Sequence, residues 1–138
     1  MASDQLENSI ITRLIDGNGY LMSPDATYYI SLHTADPLDT GANELTAPYG
    51  YARKSYTTSG GWNAASGGST SNNGSITFAA ASGGDWATAT HFGVWNNSAG
   101  TSANFMLGGL LTSSVTCTDG DAVQFLGGTP GALVITCT

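Results

Sequence analysis

Positive charge is what this chain lacks most: 3 Lys and Arg stand against 10 Asp and Glu, a net charge of −7. Three cations cannot neutralise a phosphate track, which excludes a nucleic-acid binder. The same count argues against docking on an anionic membrane surface. Charge of either sign is scarce, at 9% of the 138 residues against roughly 25% in an average soluble domain. Long apolar runs are missing too, and no stretch approaches the roughly 18 residues of a membrane span. The N-terminus, Met1-Ala2-Ser3-Asp4-Gln5-Leu6-Glu7, has acids where a secretory signal would have bases. Synthesis in a cytoplasm is therefore expected. Asn73-Gly74-Ser75 and Asn96-Asn97-Ser98 fit the glycosylation pattern but carry no meaning without export. Cysteine is reduced to Cys117 and Cys137, with no metal-type CxxC pair. They read either as two half-buried thiols or as a disulfide between late strands.

What is present is 19 Gly among many Ser, Thr and Asn, with 41% hydrophobic residues. That is enough apolar content for a core and argues against global disorder. The balance suits one β-rich domain over residues 1–138, with a hydroxyl-rich, weakly charged surface.

One helix is legible, over about residues 4–16. Leu6, Ile10, Ile11 and Leu14 recur at helical spacing on one face. Ser3 or Asp4 can cap its start, with Glu7 placed as in a capping box, and Gly17-Asn18-Gly19 can end it. A free helix of this length is marginal, so it must dock, either on the domain's own sheet or on a neighbouring subunit.

After residue 20 the period changes to that of strands. Residues 26–32, 52–58, 75–78, 88–95, 105–111, 114–118, 122–125 and 133–136 read as short strands separated by turn signals. Residues 33–49 form a long loop rich in turn chemistry, and residues 60–74 a Gly/Ser/Asn loop. Trp62 is the only large residue in that second loop. It is expected to be ordered by Trp62 alone or by a partner, which makes Trp62 a candidate interface residue. Asp119-Gly120 fits a hairpin turn. The expected fold is mainly β: an antiparallel, jelly-roll-like β-sandwich with one N-terminal α-helix.

Each catalytic constellation fails on its residues. No G-x-S-x-G elbow accompanies His33 or His91; both read as histidines hydrogen-bonded at a sheet end or packed on an aromatic ring. The acids are scattered at turns and on the helix, not paired as in a glycosidase. Asp119-Gly120-Asp121 could give two oxygens to a calcium ion but lacks the remaining ligands. Residues 67–74 are glycine-rich but lack the Lys and helix of a phosphate cradle. Trp62, Trp86, Trp95, Tyr49, Tyr51 and Tyr56 could line a sugar-binding surface, against the more ordinary reading of core and loop-anchor packing. No enzyme activity, cofactor or metal is expected.

Four stretches carry a resemblance. They are Leu6-Glu7-Asn8 with the helix face behind it; Ala26-Thr27-Tyr28-Tyr29-Ile30-Ser31-Leu32-His33-Thr34-Ala35-Asp36-Pro37, with Thr40-Gly41-Ala42-Asn43-Glu44-Leu45 after it; Gly50-Tyr51-Ala52-Arg53; and Ala89-Thr90-His91-Phe92-Gly93-Val94-Trp95. Together, in this order over about residues 5–136, they resemble a family of small tailed-bacteriophage virion proteins, tail-fibre-like or capsid-decorating. The cysteines and Pro48 depart from the pattern. The resemblance carries over no catalytic residues. It marks Leu32, His33, Asp36, Pro37, Gly50, Tyr51, Arg53, His91 and Gly93 as structural positions. Among these, Gly93 within a strand suggests a bulge or a close approach, and Arg53 could pair with Glu44 or Asp36.

The expected function is that of a virion structural protein. A capsid cement protein bracing the shell is favoured, because no shaft repeat or coiled-coil heptad is seen. A tail fibre or baseplate component for host attachment is the alternative, and a carbohydrate-binding module a further one. The expected partners are the chain itself, as a homo-oligomer and most readily a trimer, and the major capsid protein or other virion proteins. Charges are depleted at subunit contacts, and this chain has few to lose. The expected location is the virion.

Overall fold

The computed structural model describes residues 2–15, 27–46, 48–57 and 60–136. Helix α1 spans Asp4–Ile15. The strands are β1 (Thr27–His33), β2 (Lys54–Thr57), β3 (Ser69–Ser71), β4 (Ile76–Thr77), β5 (Ala89–Trp95), β6 (Phe105–Val115), β7 (Gln124–Phe125) and β8 (Val134–Thr136). The expected stop signal Gly17-Asn18-Gly19 and the residue Cys137 lie outside the described residues, and so does any pairing of Cys117 with Cys137.

The strands form one antiparallel sheet in the order β2-β1-β5-β6 and two antiparallel ribbons, β3-β8 and β4-β7. This is a mainly β, antiparallel protein with one N-terminal helix, as expected. It is compatible with a sandwich whose second layer is divided into two ribbons.

Register explains the layering. Ile30 pairs with Val94, Leu32 with Phe92 and Val94 with Leu107. Alternation puts these side chains on one face of the sheet. There they meet Ile76, Phe78, Phe125 and Leu133 from the ribbons and their flanks, in the main apolar core. The intervening residues Ser31, His33, Gly93 and Trp95 point to the opposite face. That face is covered by the loop at residues 34–46.

Several local expectations are corrected. Residues 105–111 and 114–118 are not two strands. They lie largely in the single strand β6, which bulges so that Ala89 faces Val115 while His91 faces Leu110. Asp119-Gly120 does form a turn, with Asp121 N–H donating to the Thr118 carbonyl at 2.9 Å and Gly120 at φ 89°. It joins no hairpin, because the chain before it bonds to Trp86 and the chain after it to Phe78 and Ala81.

The loop at residues 60–74 is ordered by more than Trp62. It contains β3, and the fully buried Asn72 clamps it. Asn72 Nδ2 donates to the carbonyls of Gly74 (2.9 Å) and Leu126 (3.1 Å), and its Oδ1 accepts Leu133 N–H at 2.8 Å. One amide thereby ties together the two ribbons. Asn63 adds bonds to Ser71 Oγ and the Gly128 carbonyl.

Ser3, not Asp4, caps the start of helix α1. Ser3 Oγ accepts Leu6 N–H at 3.3 Å and donates to the Phe105 carbonyl at 2.8 Å, while Ser3 N–H donates to the Met106 carbonyl. The cap thus also fastens the helix to β6. With Ser3 as cap, Leu6 holds the third helical position, so the Asp4–Glu7 capping box is not the arrangement present.

Candidate functional site

Residues from three of the four stretches that carry the resemblance, all but the helix, converge on one polar network under the 34–46 loop. His33 is fully buried, as is Ser31 two residues before it. His33 Nδ1 lies 2.6 Å from the Ala42 carbonyl. A carbonyl only accepts, so the imidazole proton is on Nδ1 and Nε2 is the acceptor. Ser31 Oγ–H fills that acceptor at 2.6 Å, and Trp95 Nε1–H donates to Ser31 Oγ at 2.7 Å. Trp95 stacks with His33 at an interplanar angle of 7°, and Phe105 closes the cluster edge-on. Burial holds His33 below its ordinary pKa, outweighing the Ala42 bond and the Glu44 charge, which favour the cation.

Gly93 is required beside this cluster. A Cβ there would stand 2.6 Å from both His33 Nε2 and Ser31 Oγ. This is the close approach expected of a strand glycine. Gly41, at φ 71°, leaves room for the Trp95 indole in the same way from the loop side.

A second half of the network is ionic. Arg53 pairs with Glu44, not Asp36, through two parallel bonds: Nε to Oε1 at 2.9 Å and Nη2 to Oε2 at 2.7 Å. Its guanidinium carbon lies 3.4 Å from the Trp95 ring centroid, a cation–π stack. The remaining donors reach the carbonyls of Asn97 and Gly100. Tyr51 O–H donates to Glu44 Oε1 and accepts Leu32 N–H. Burial pushes the Tyr51 phenol far above its ordinary range. No buried side-chain polar atom among the described residues lacks a partner.

The other positions marked by the resemblance are placed as follows. Leu32 is in the apolar core. Asp36 Oδ1 accepts Leu38 N–H, and its carbonyl accepts Asn43 Nδ2. Pro37 packs against Gly108 of β6 and accepts Ala42 N–H. Gly50, at φ 80°, completes a left-handed pair with Tyr49 at φ 62°. His91 faces His33 in the β1–β5 register but stands apart from the network, half-buried and bonded to Thr90 Oγ1.

Chemically, this arrangement holds shape. Ser31 and His33 have the spacing of a nucleophile and its base. They are sealed from solvent, and the second imidazole nitrogen meets a backbone carbonyl instead of a carboxylate. Sequence reasoning passed over Ser31 and Asn72, because a buried serine and a buried asparagine read as ordinary loop or strand polar residues.

Of the aromatics considered for a sugar surface, Trp86, Trp95, Tyr51 and Tyr56 are buried, and Tyr51 and Trp86 contact edge-to-face. Tyr49 is exposed. Trp62 is half-buried against Tyr56. Asp119 and Asp85 serve the turns, accepting Gly83 N–H and Asp119 N–H respectively. Asp121 accepts from Thr118 Oγ1.

Among the described residues the outer surface is hollowed beside α1, with polar and apolar lining in similar measure. A groove of about 590 Å³ runs between α1, β6 and β8, lined by Leu6, Phe92, Leu107, Leu110, Val134 and Ile135 among others. A smaller hollow of about 230 Å³ continues it toward Tyr28 and Trp62. Both share Leu6, Leu107 and Ile135.

A comparison with curated proteins gives no match. Over residues 1–133 the chain matches the family described as "Podophage GP4 fiber I protein gp80". It therefore belongs to that family and is a phage virion structural protein of tail-fibre-like kind.

Proposed function

We propose that this chain is a non-catalytic building block of a phage tail fibre, holding a fixed shape while its outer surface joins other virion proteins. The observation that supports this reading most is the convergence of the motif residues. Ser31, His33, Glu44, Tyr51, Arg53, Gly93 and Trp95 meet one another inside the protein instead of lining an open pocket. Such an arrangement stiffens a loop onto a sheet and leaves no group free to act on a substrate. The family description, which names a fibre, supports a place on the tail.

Capsid decoration is the second reading. It is favoured by the compact β-unit with few surface charges, which suits repeated placement over shell subunits and contact with the major capsid protein. Copy number per particle separates the two, read by quantitative mass spectrometry of purified virions beside antibody labelling in the electron microscope. The fibre reading expects a small number of copies at the tail. Hundreds of copies spread over the head would overturn it in favour of decoration.

A further inference from the structure

Among the described residues, helix α1 is fastened through its N-terminal end. Its cap residue Ser3 bonds to β6, and Leu6 lines the groove beneath it. Its second half projects apolar side chains outward: Ile10 is 38% exposed, Ile11 58% and Ile15 79%. A twelve-residue helix has little stability of its own, and its apolar stripe needs a surface to cover it. The docking alternatives left open by the periodicity thus divide along the helix. The first turn serves the chain's own sheet, and Ile10, Ile11 and Ile15 remain exposed.

We propose that a second copy of this chain covers that end, the Ile10, Ile11 and Ile15 tip of one α1 seating in the groove between β6 and β8 of the next copy. Three observations select a copy over an unrelated partner. The first is charge. At a net −7 per chain, two copies repel except where neither presents acids. Residues 8–15 of α1 contain no acid, β6 and β8 contain no charge of either sign, and Glu7 alone brings one to the groove. A basic partner would instead be drawn to the acids elsewhere.

The second observation is that projection and hollow belong to the same helix, one at each end. A copy related by rotation can present its tip to its neighbour's groove, and the contact closes as a reciprocal pair under a two-fold or as a small ring under a higher rotation. The third is area. A stable contact covers about 800 Å² on each partner, more than three isoleucines hold. Seating the tip in the groove engages both surfaces at once. The contact does not depend on whether the assembly stands on a fibre or on the shell.

The test is the mass in solution of the full chain, by sedimentation equilibrium at micromolar concentration, for the wild type and three variants. The wild type is expected at a multiple of 14.0 kDa. Ile15→Lys and Val134→Asp, both at exposed positions, are each expected to weaken association at least about tenfold. Near-ultraviolet circular dichroism of the buried tryptophans checks that each variant keeps its fold. Should Ile15→Lys unfold, Ile11→Lys takes its place at the tip, and should Val134→Asp unfold, Leu110→Asp takes its place in the groove. The double variant Ile15→Lys/Val134→Asp is expected to regain association, since the new charges meet across the contact. A wild type that stays monomeric overturns the proposal, as does an Ile15→Lys variant that associates unchanged. A double variant that stays apart also overturns it, because the tips would then meet something other than the groove.

Discussion

The two faces of the central sheet are built on opposite chemical rules. On one, Ile30, Leu32, Phe92 and Val94 join the ribbons in a core held by contact area alone. On the other, Ser31, His33, Trp95 and Arg53 are held by a chain of directional bonds that runs from Ala42 to Gly100. Apolar contact is non-directional and survives modest changes of shape. A buried polar chain tolerates little, because each lost partner leaves another group unsatisfied in a low-dielectric setting. The apolar face therefore supplies most of the stability. The polar face fixes one conformation for the 34–46 loop, which apolar packing alone would leave free to slide.

The contrast is broken most severely at Arg53. Arg53→Ala leaves the half-buried Glu44 without its partner and strips a cation from the Trp95 face. We expect a loss of roughly 3–5 kcal/mol in urea unfolding. Arg53→Lys should recover only part of it, since an ammonium cannot make the two parallel bonds. A loss below about 1 kcal/mol would mean that the pair is hydrated and carries little.

A matched pair of swaps sharpens the comparison next. His33→Leu removes the partners of Ser31 and Ala42 and should cost about 2–4 kcal/mol. Leu32→Met, one residue away on the apolar face, should cost less than about 1.5 kcal/mol. Equal effects would show that both faces are held by area alone.

In the ribbons the same contrast sets Asn72 against Trp62. Asn72→Ala should cost about 2–3 kcal/mol and raise amide hydrogen exchange in β3 and β8 together. Trp62→Ala should cost about 1–2 kcal/mol, because the indole is half-buried, and leave β3 protected. Loss of β3 protection in the Trp62 variant would return the loop to dependence on that ring.

The smallest expected effect is that of pH. His33 is kept neutral by burial, so its pKa in the fold lies below its unfolded value near 6.5. The unfolded chain then binds the extra proton first. The stabilisation is complete above about pH 6.5 and is lost progressively as pH falls from there toward the folded pKa. Denaturant midpoints measured from pH 7.5 to pH 5 should show this fall, and His33→Leu should flatten it. An identical slope in the variant would place the titration elsewhere.

Much of the fold was legible because β1 and β5 alternate cleanly and α1 keeps its helical spacing. The apolar alternation of residues 28–32 and 90–95 marks strands whatever their neighbours. The choice of Glu44 over Asp36 was not legible. Both acids lie in the loop, and only the His33–Glu44 bridge of the folded chain brings one of them to Arg53. Asn72 was invisible for a different reason. Its role lies in bonds to residues 53 to 61 positions away, and nothing local distinguishes it from Asn73. The merging of two expected strands into β6 depends on a bulge, which keeps Ser113 and Ser114 within the strand between the paired Leu110 and Val115, where composition suggests a turn.

The near absence of cations has a practical consequence for proteolysis. Trypsin can act only after Arg13, Arg53 and Lys54. Arg53 is clamped between Glu44 and Trp95, and Lys54 is the first residue of β2, paired with Ile30 of β1. Cleavage at those two sites therefore requires opening of the sheet. The bond after Arg13 lies within α1 and needs only the helix to fray. A single digestion thus yields two separate clocks, one reading the helix end and one the sheet.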